Sequence, residues 1–83
     1  MNSFAIKIKN IPDYRQTMSK MKKLGYEEDH YWNEMIIQEG IPKTLYLTKG
    51  EGESFLSLFK FNTEEDSTFD SFEEFKKAYD GKN

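Results

Sequence analysis

The chain has 83 residues, of which 16% are aromatic, and its formal net charge is −3. A chain of this length forms one domain, residues 1–83, with a single thin core. It contains no cysteine, which excludes disulfide bonds and thiolate metal sites and fits a reducing compartment.

The sequence predicts neither a membrane span nor a secretory signal. No apolar run approaches the roughly 20 residues that a transmembrane helix needs. The N-terminal segment MNSFAIKIKN lacks the continuous apolar stretch of a signal peptide. We therefore expect a soluble protein of the cytoplasm that does not act at a membrane.

The first two elements are predicted from side-chain periodicity. Phe4, Ile6 and Ile8 alternate with other residues, which predicts a half-buried strand over residues 4–9. Asn10 is a capping residue, and a helix from Pro12 to Leu24 follows. Its apolar stripe recurs at spacings of four, three and three residues, and a glycine ends it: Tyr14, Met18, Met21, Leu24 and Gly25.

The middle of the chain is rich in strand-forming residues. Aromatic and β-branched side chains favour a second strand within Tyr31–Gln38. Lys43–Asn62 predicts a β-hairpin whose turn contains Gly50-Glu51-Gly52-Glu53. In its second strand Leu56 and Leu58 alternate with aromatic residues, so both faces are apolar and the strand is expected inside the sheet.

The last part of the chain predicts a loop and a helix. The polar, acidic segment Asn62–Ser67 is expected to be loop. Ser71 and Glu74 form a capping box for a helix from Phe72 to Tyr79. The element order is then β-α-β-β-β-α, an α+β domain in which two helices cover a small, mainly antiparallel sheet.

Charge is divided unevenly along the chain. Met1–Leu24 holds six basic residues and one acidic residue, and the remainder holds six basic and fourteen acidic residues. We expect a molecule with a basic and an acidic side, a property that affects association more than fold.

Enzymatic and metal chemistry have weak support. His30 is the only histidine and lies beside Glu27, Glu28 and Asp29, in what is best read as a solvated turn. Glu64-Glu65-Asp66 lacks the ligand spacing of a calcium loop. We therefore expect a protein that is not an enzyme and that carries no metal and no cofactor.

Two surfaces are candidates for binding. The first is an acidic face that could imitate phosphates in a basic groove of a partner protein: Glu51, Glu53, Glu64, Glu65, Asp66, Asp70, Glu73 and Glu74. The alternative is a basic and aromatic segment that could sequester a charged nucleotide, in a chain that could be a homo-oligomer: Arg15, Lys22, Tyr26, Tyr31 and Trp32. Core packing is the competing explanation for the rings. Direct nucleic-acid binding is not expected, because the chain is acidic.

The pattern IKIKN-IPDYRQTMSKMKKLGYE, with a later tryptophan, a hairpin and a terminal SFEEFKKAY, resembles small bacteriophage and prophage accessory proteins. The resemblance implies a compact, non-enzymatic phage protein that inhibits a bacterial host protein. Antiviral defence and nucleic-acid metabolism are the expected processes, in the cytoplasm of the host. The resemblance assigns no functional role to any residue of this chain.

Overall fold

The computed structural model of the protein describes residues 3–40, 45–50, 52–53, 55–59 and 68–80. Three helices and five strands occur in these ranges, in the order β1 (Phe4–Ile8), α1 (Ile11–Lys23), β2 (Glu27–Glu28), α2 (His30–Glu39), β3 (Leu45–Lys49), β4 (Phe55–Phe59), β5 (Thr68–Phe69) and α3 (Phe72–Asp80). No helix within these ranges is both long and apolar enough to cross a membrane.

The strands form one mixed sheet in the order β2-β4-β3-β1-β5. The centre is antiparallel, with β3 pairing β1 on one side and β4 on the other. The two-residue strands β2 and β5 add in parallel at the edges. The α+β class is therefore confirmed, as are the hairpin and the position of β4 inside the sheet.

One face of the sheet carries the core. The register places Leu47 opposite both Ile6 and Leu58, so apolar side chains from three adjacent strands form a continuous row. These side chains are fully buried, and Tyr14 of α1 and Phe75 of α3 are buried with them. Both helices thus cover the same face, and their positions differ from the predicted ones by one residue at most.

Capping at the helix starts follows the sequence. The Asn10 side chain accepts a hydrogen bond from the Asp13 amide at 2.8 Å, and the Ser71 hydroxyl accepts one from the Glu74 amide at 3.2 Å. Gly25 follows α1 with φ = +99°, a conformation in which a side chain is strained. The predicted loop Asn62–Ser67 lies outside the described residues.

The strand predicted within Tyr31–Gln38 is wrong, because this segment is the helix α2. Its side chains are amphipathic at helical spacing, with Asn33 and Ile36 buried and Tyr31 exposed. Asp29 caps the helix, since its carboxylate accepts from the Trp32 amide at 3.4 Å. Strand propensity is weak compared with packing, and the observed order is β-α-β-α-β-β-β-α.

Helix α2 also completes the hydrogen bonding of β4. Beyond the short β2 pairing, the Asn33 amide donates to the Leu56 carbonyl at 3.0 Å and accepts from the Leu58 amide at 2.8 Å. The Trp32 indole N–H donates to the Leu58 carbonyl at 2.8 Å. Side chains of the helix therefore replace a neighbouring strand along this part of β4 and cover an otherwise open edge.

Candidate functional site

Three ion pairs tie cations of α1 to carboxylates of later elements. Arg15 contacts Glu34 of α2 at 2.5 Å, and Lys22 contacts Glu28 of β2 at 2.9 Å. Lys20 lies 3.5 Å from Glu73 of α3. Half of the six basic residues of the N-terminal segment are thus paired within the molecule, so its positive side is much weaker than its sequence suggests.

Glu28 is the centre of a polar cluster between α1 and α2. Its carboxylate, 10% exposed, accepts a hydrogen bond from the Tyr14 hydroxyl, is paired with Lys22, and lies 3.8 Å from the His30 ring. Burial by itself would raise the pKa of Glu28, but hydrogen bonds from Tyr14 and Lys22 outweigh it and lower that pKa. Burial and the Glu28 acceptor together raise the pKa of Tyr14. This cluster holds a carboxylate ionised and a phenol neutral.

Two of the predicted ligand-binding residues share a depression, and the others lie elsewhere. Arg15 and Lys22 line a hollow of about 170 Å³ together with Glu28. Tyr26 packs edge-on against Phe4 with ring centroids 5.6 Å apart, so it belongs to the core. Tyr31 is 84% exposed on α2.

Trp32, the fifth of these residues, lines a separate hollow. This hollow has a volume of about 260 Å³ and is lined by Asp29, Trp32, Glu53, Ser57 and Phe59. The Trp32 and Phe59 rings are 5.9 Å apart at 45°. We call the hollow lined by these five residues the Trp32 hollow. The sequence analysis considered Asp29 only as a neighbour of His30 and did not propose Phe59 as a site residue, although the alternation of β4 does place Ser57 and Phe59 on one face.

The structure describes four of the eight residues of the predicted acidic face. Asp70, Glu73 and Glu74 are exposed around the start of α3, whereas Glu53 is exposed at the β3–β4 turn. The turn lies beside Phe4, the first residue of β1, because Phe4 pairs with Lys49. Phe69 pairs in parallel with Ile6, so Asp70, the next residue, lies toward the other end of β1. Glu51, Glu64, Glu65 and Asp66 lie outside the described residues.

The start of α3 carries the exposed carboxylates of Glu73 and Glu74. A hydrogen bond to its own backbone amide, with help from Lys20, lowers the pKa of Glu73. No group of three potential ligands among the described side chains could hold a metal ion. The chemistry available around the start of α3 is therefore that of exposed carboxylates.

No protein family matches the chain, and no curated protein or solved structure is significantly similar to it.

Proposed function

We propose that this protein is a non-catalytic binding protein of the cytoplasm that inhibits a bacterial protein by placing carboxylates in a basic, phosphate-binding groove. The resemblance to phage accessory proteins supports a host protein as the target, in antiviral defence or nucleic-acid metabolism. The observation that carries the proposal is the uneven use of charge within the fold.

Internal ion pairs leave the acidic residues in excess at the surface. Arg15, Lys20 and Lys22 are each paired with a carboxylate of another element. Asp70 and Glu74, in contrast, form no ion pair with any residue that the structure describes. A partner approaching this side of α3 meets the exposed carboxylates of Asp70 and Glu74.

Carboxylates grouped in this way have the features that a phosphate-binding groove selects. Asp70, Glu73 and Glu74 lie within five residues of one another on a bend and the first turn of a helix, and all are exposed. A groove lined with lysine and arginine attracts clustered negative charge, and the attraction weakens as salt is added. Competition with nucleic acid is the expected mode of inhibition.

The test is capture from a bacterial lysate with the immobilised protein, followed by displacement with duplex DNA. We expect a retained protein that DNA displaces and that the Asp70→Lys/Glu74→Lys variant fails to retain. Glu27→Lys/Glu39→Lys is the matched control, because it makes the same charge change at exposed positions away from α3. Retention that DNA does not affect, or equal loss in both variants, would refute phosphate mimicry by this surface.

The alternative function, a sponge for a charged nucleotide, is supported by the hollow that Arg15 and Lys22 share. Both cations face carboxylates there, so an anionic ligand must compete with Glu34 and Glu28. Native mass spectrometry of protein purified from a bacterial lysate tests this function. A ligand mass lost in an Arg15→Ala/Lys22→Ala variant supports it, and a ligand-free wild-type spectrum counts against it.

A further inference from the structure

We propose that the Trp32 hollow binds a cationic side chain, an arginine or a lysine, of a basic partner protein. The inference deepens the proposed function and rests on it in one respect, namely that the partner presents a basic surface. It adds a defined pocket to the acidic residues of α3 and identifies the chemical class of its occupant.

The aromatic half of the hollow comes from α2 and β4. The Trp32 indole N–H donates to the Leu58 carbonyl at 2.8 Å, which fixes the orientation of the ring. The Phe59 ring, inclined at 45° to the indole, forms a second aromatic wall. Aromatic faces attract cations through their quadrupole, most strongly for tryptophan. Two inclined rings around an open hollow suit a flat guanidinium or an ammonium head.

The acidic half comes from the helix cap and the hairpin turn. One oxygen of Asp29 accepts from the Trp32 amide at 3.4 Å, and the other accepts from the Ser57 hydroxyl at 3.3 Å. Glu53 closes the hollow from the turn, where its amide donates to the Gly50 carbonyl at 3.1 Å. Its side chain packs against Gly50, since a Cβ built there would lie 3.4 Å from the Glu53 carboxyl carbon. The Asp29 carboxylate is therefore held at the rim by two hydrogen bonds, and the turn places the exposed Glu53 side chain at the same rim.

The charges of the hollow select its occupant. Among the five residues that line it, two are acidic and none is basic. An anionic ligand such as a nucleotide would be repelled by the two carboxylates, and an apolar segment would take the Glu53 carboxylate out of water without giving it a partner. A cation satisfies both walls, because the rings and the carboxylates attract the same sign of charge.

Trp32 is also the reporter of the site, because it is the only tryptophan in the chain. We would titrate the protein with a blocked hexa-arginine peptide, follow tryptophan emission, and measure the same binding by calorimetry. We expect a saturable change in emission, with an affinity that falls at least several-fold between about 25 and about 250 mM salt. A blocked hexaglutamate peptide should cause no change.

Variants separate the hollow from general acidity. Glu53→Gln/Phe59→Leu removes one carboxylate and one ring, and should weaken peptide binding about tenfold by combining typical ion-pair and cation–π contributions. Glu39→Gln removes an exposed carboxylate that does not line the hollow, and should change the affinity less than about twofold. Circular dichroism and thermal unfolding verify that each variant is folded.

Two results would overturn the proposal. The first is unchanged affinity in Glu53→Gln/Phe59→Leu. The second is calorimetric binding of the peptide without any response of tryptophan emission, because the peptide would then bind at another surface.

The lysate capture distinguishes this failure from failure of the proposed function. If Glu53→Gln/Phe59→Leu retains the captured protein while Asp70→Lys/Glu74→Lys loses it, the hollow is not part of the interface and the proposed function stands. If the peptide binds the hollow but neither variant alters capture, the hollow binds cations and inhibition by the acidic surface is refuted.

Discussion

Replacement of Asn33 by leucine tests the inference that a side chain of α2 takes the place of a strand beside β4. Asn33 is fully buried, and its amide makes one hydrogen bond to Leu56 and one from Leu58. Leucine has a similar shape but no polar atom, so the substitution removes both hydrogen bonds with little change in packing.

The expected cost follows from which backbone groups lose a partner. The Leu56 carbonyl still accepts from the Asp29 amide at 3.1 Å, so only the Leu58 N–H is left unpaired. A buried unpaired amide costs about 1–3 kcal/mol, and the other lost hydrogen bond about 1 kcal/mol. We expect a loss of about 2–4 kcal/mol from a total stability of about 4–12 kcal/mol for a chain of this length. The melting temperature should fall by roughly 8–30 °C.

Urea denaturation followed by Trp32 emission measures this loss. Gln38→Leu is the matched control, because it places a leucine at an exposed position of the same helix and should change stability by less than about 0.5 kcal/mol. If Asn33→Leu is also within about 0.5 kcal/mol of wild type, the side-chain hydrogen bonds do not hold the edge of β4 and the reasoning is wrong.

Asn33→Asp gives an independent test through pH. An ionised carboxylate can accept from Leu58 but faces the Leu56 carbonyl without a proton to donate, so burial should raise the pKa of the introduced carboxyl. A raised pKa in the folded state means that stability is fully present below the unfolded pKa of about 4 and is lost as the pH rises through the folded value. We expect this variant to be more stable relative to wild type at pH 4 than at pH 7. The opposite order would contradict the hydrogen-bond pattern.

Three further predictions concern the rest of the fold. The pKa of Glu28 is lowered, so its ionised form contributes to folding stability fully above the unfolded pKa of about 4.5, and this contribution is lost as the pH falls below that value. Glu28→Gln should therefore flatten the decline of melting temperature in acid. An unchanged slope would contradict the lowered pKa. Gly25→Ala should cost about 1–2 kcal/mol in urea denaturation, because the position has φ = +99° with open space around it; a neutral result would exclude strain there. Phe75→Ala should lower the free energy of unfolding by about 3–5 kcal/mol, since this buried ring contacts five others. If calorimetry gives a free energy of unfolding within about 1 kcal/mol of wild type, the ring cluster does not hold α3 on the sheet.

Prediction from the sequence succeeded where the signal was local and repeated. The alternation of Phe4, Ile6 and Ile8 predicted β1, and apolar spacing with capping residues predicted α1 and α3. It failed at α2, where Tyr31, Trp32 and three consecutive apolar residues resemble a strand. Asp29 as a helix cap was the available signal, but a single capping residue is weaker than a run of strand-forming side chains.

The candidate sites were predicted less well, because charge in a sequence carries no information about partners in space. The basic segment was expected to be free for a ligand, yet Arg15, Lys20 and Lys22 are paired with carboxylates 6 to 53 positions later in the chain. Glu53 and Trp32 were assigned to different candidate surfaces, and the fold brings them to one hollow. The acidic residues of α3 were placed correctly on the exterior only because helix periodicity fixes which side of α3 is buried.

The sequence by itself therefore determined the α+β class, the hairpin, two of the three helices and the apolar residues of the sheet, since periodicity and capping act over a few residues. Only the tertiary structure decided that residues 30–39 are helical and that Asn33 completes β4. It also decided which charges neutralise each other and which rings and carboxylates face the same hollow. These outcomes depend on contacts between residues 6 to 53 positions apart, where the free energy of packing and hydrogen bonding outweighs local preference.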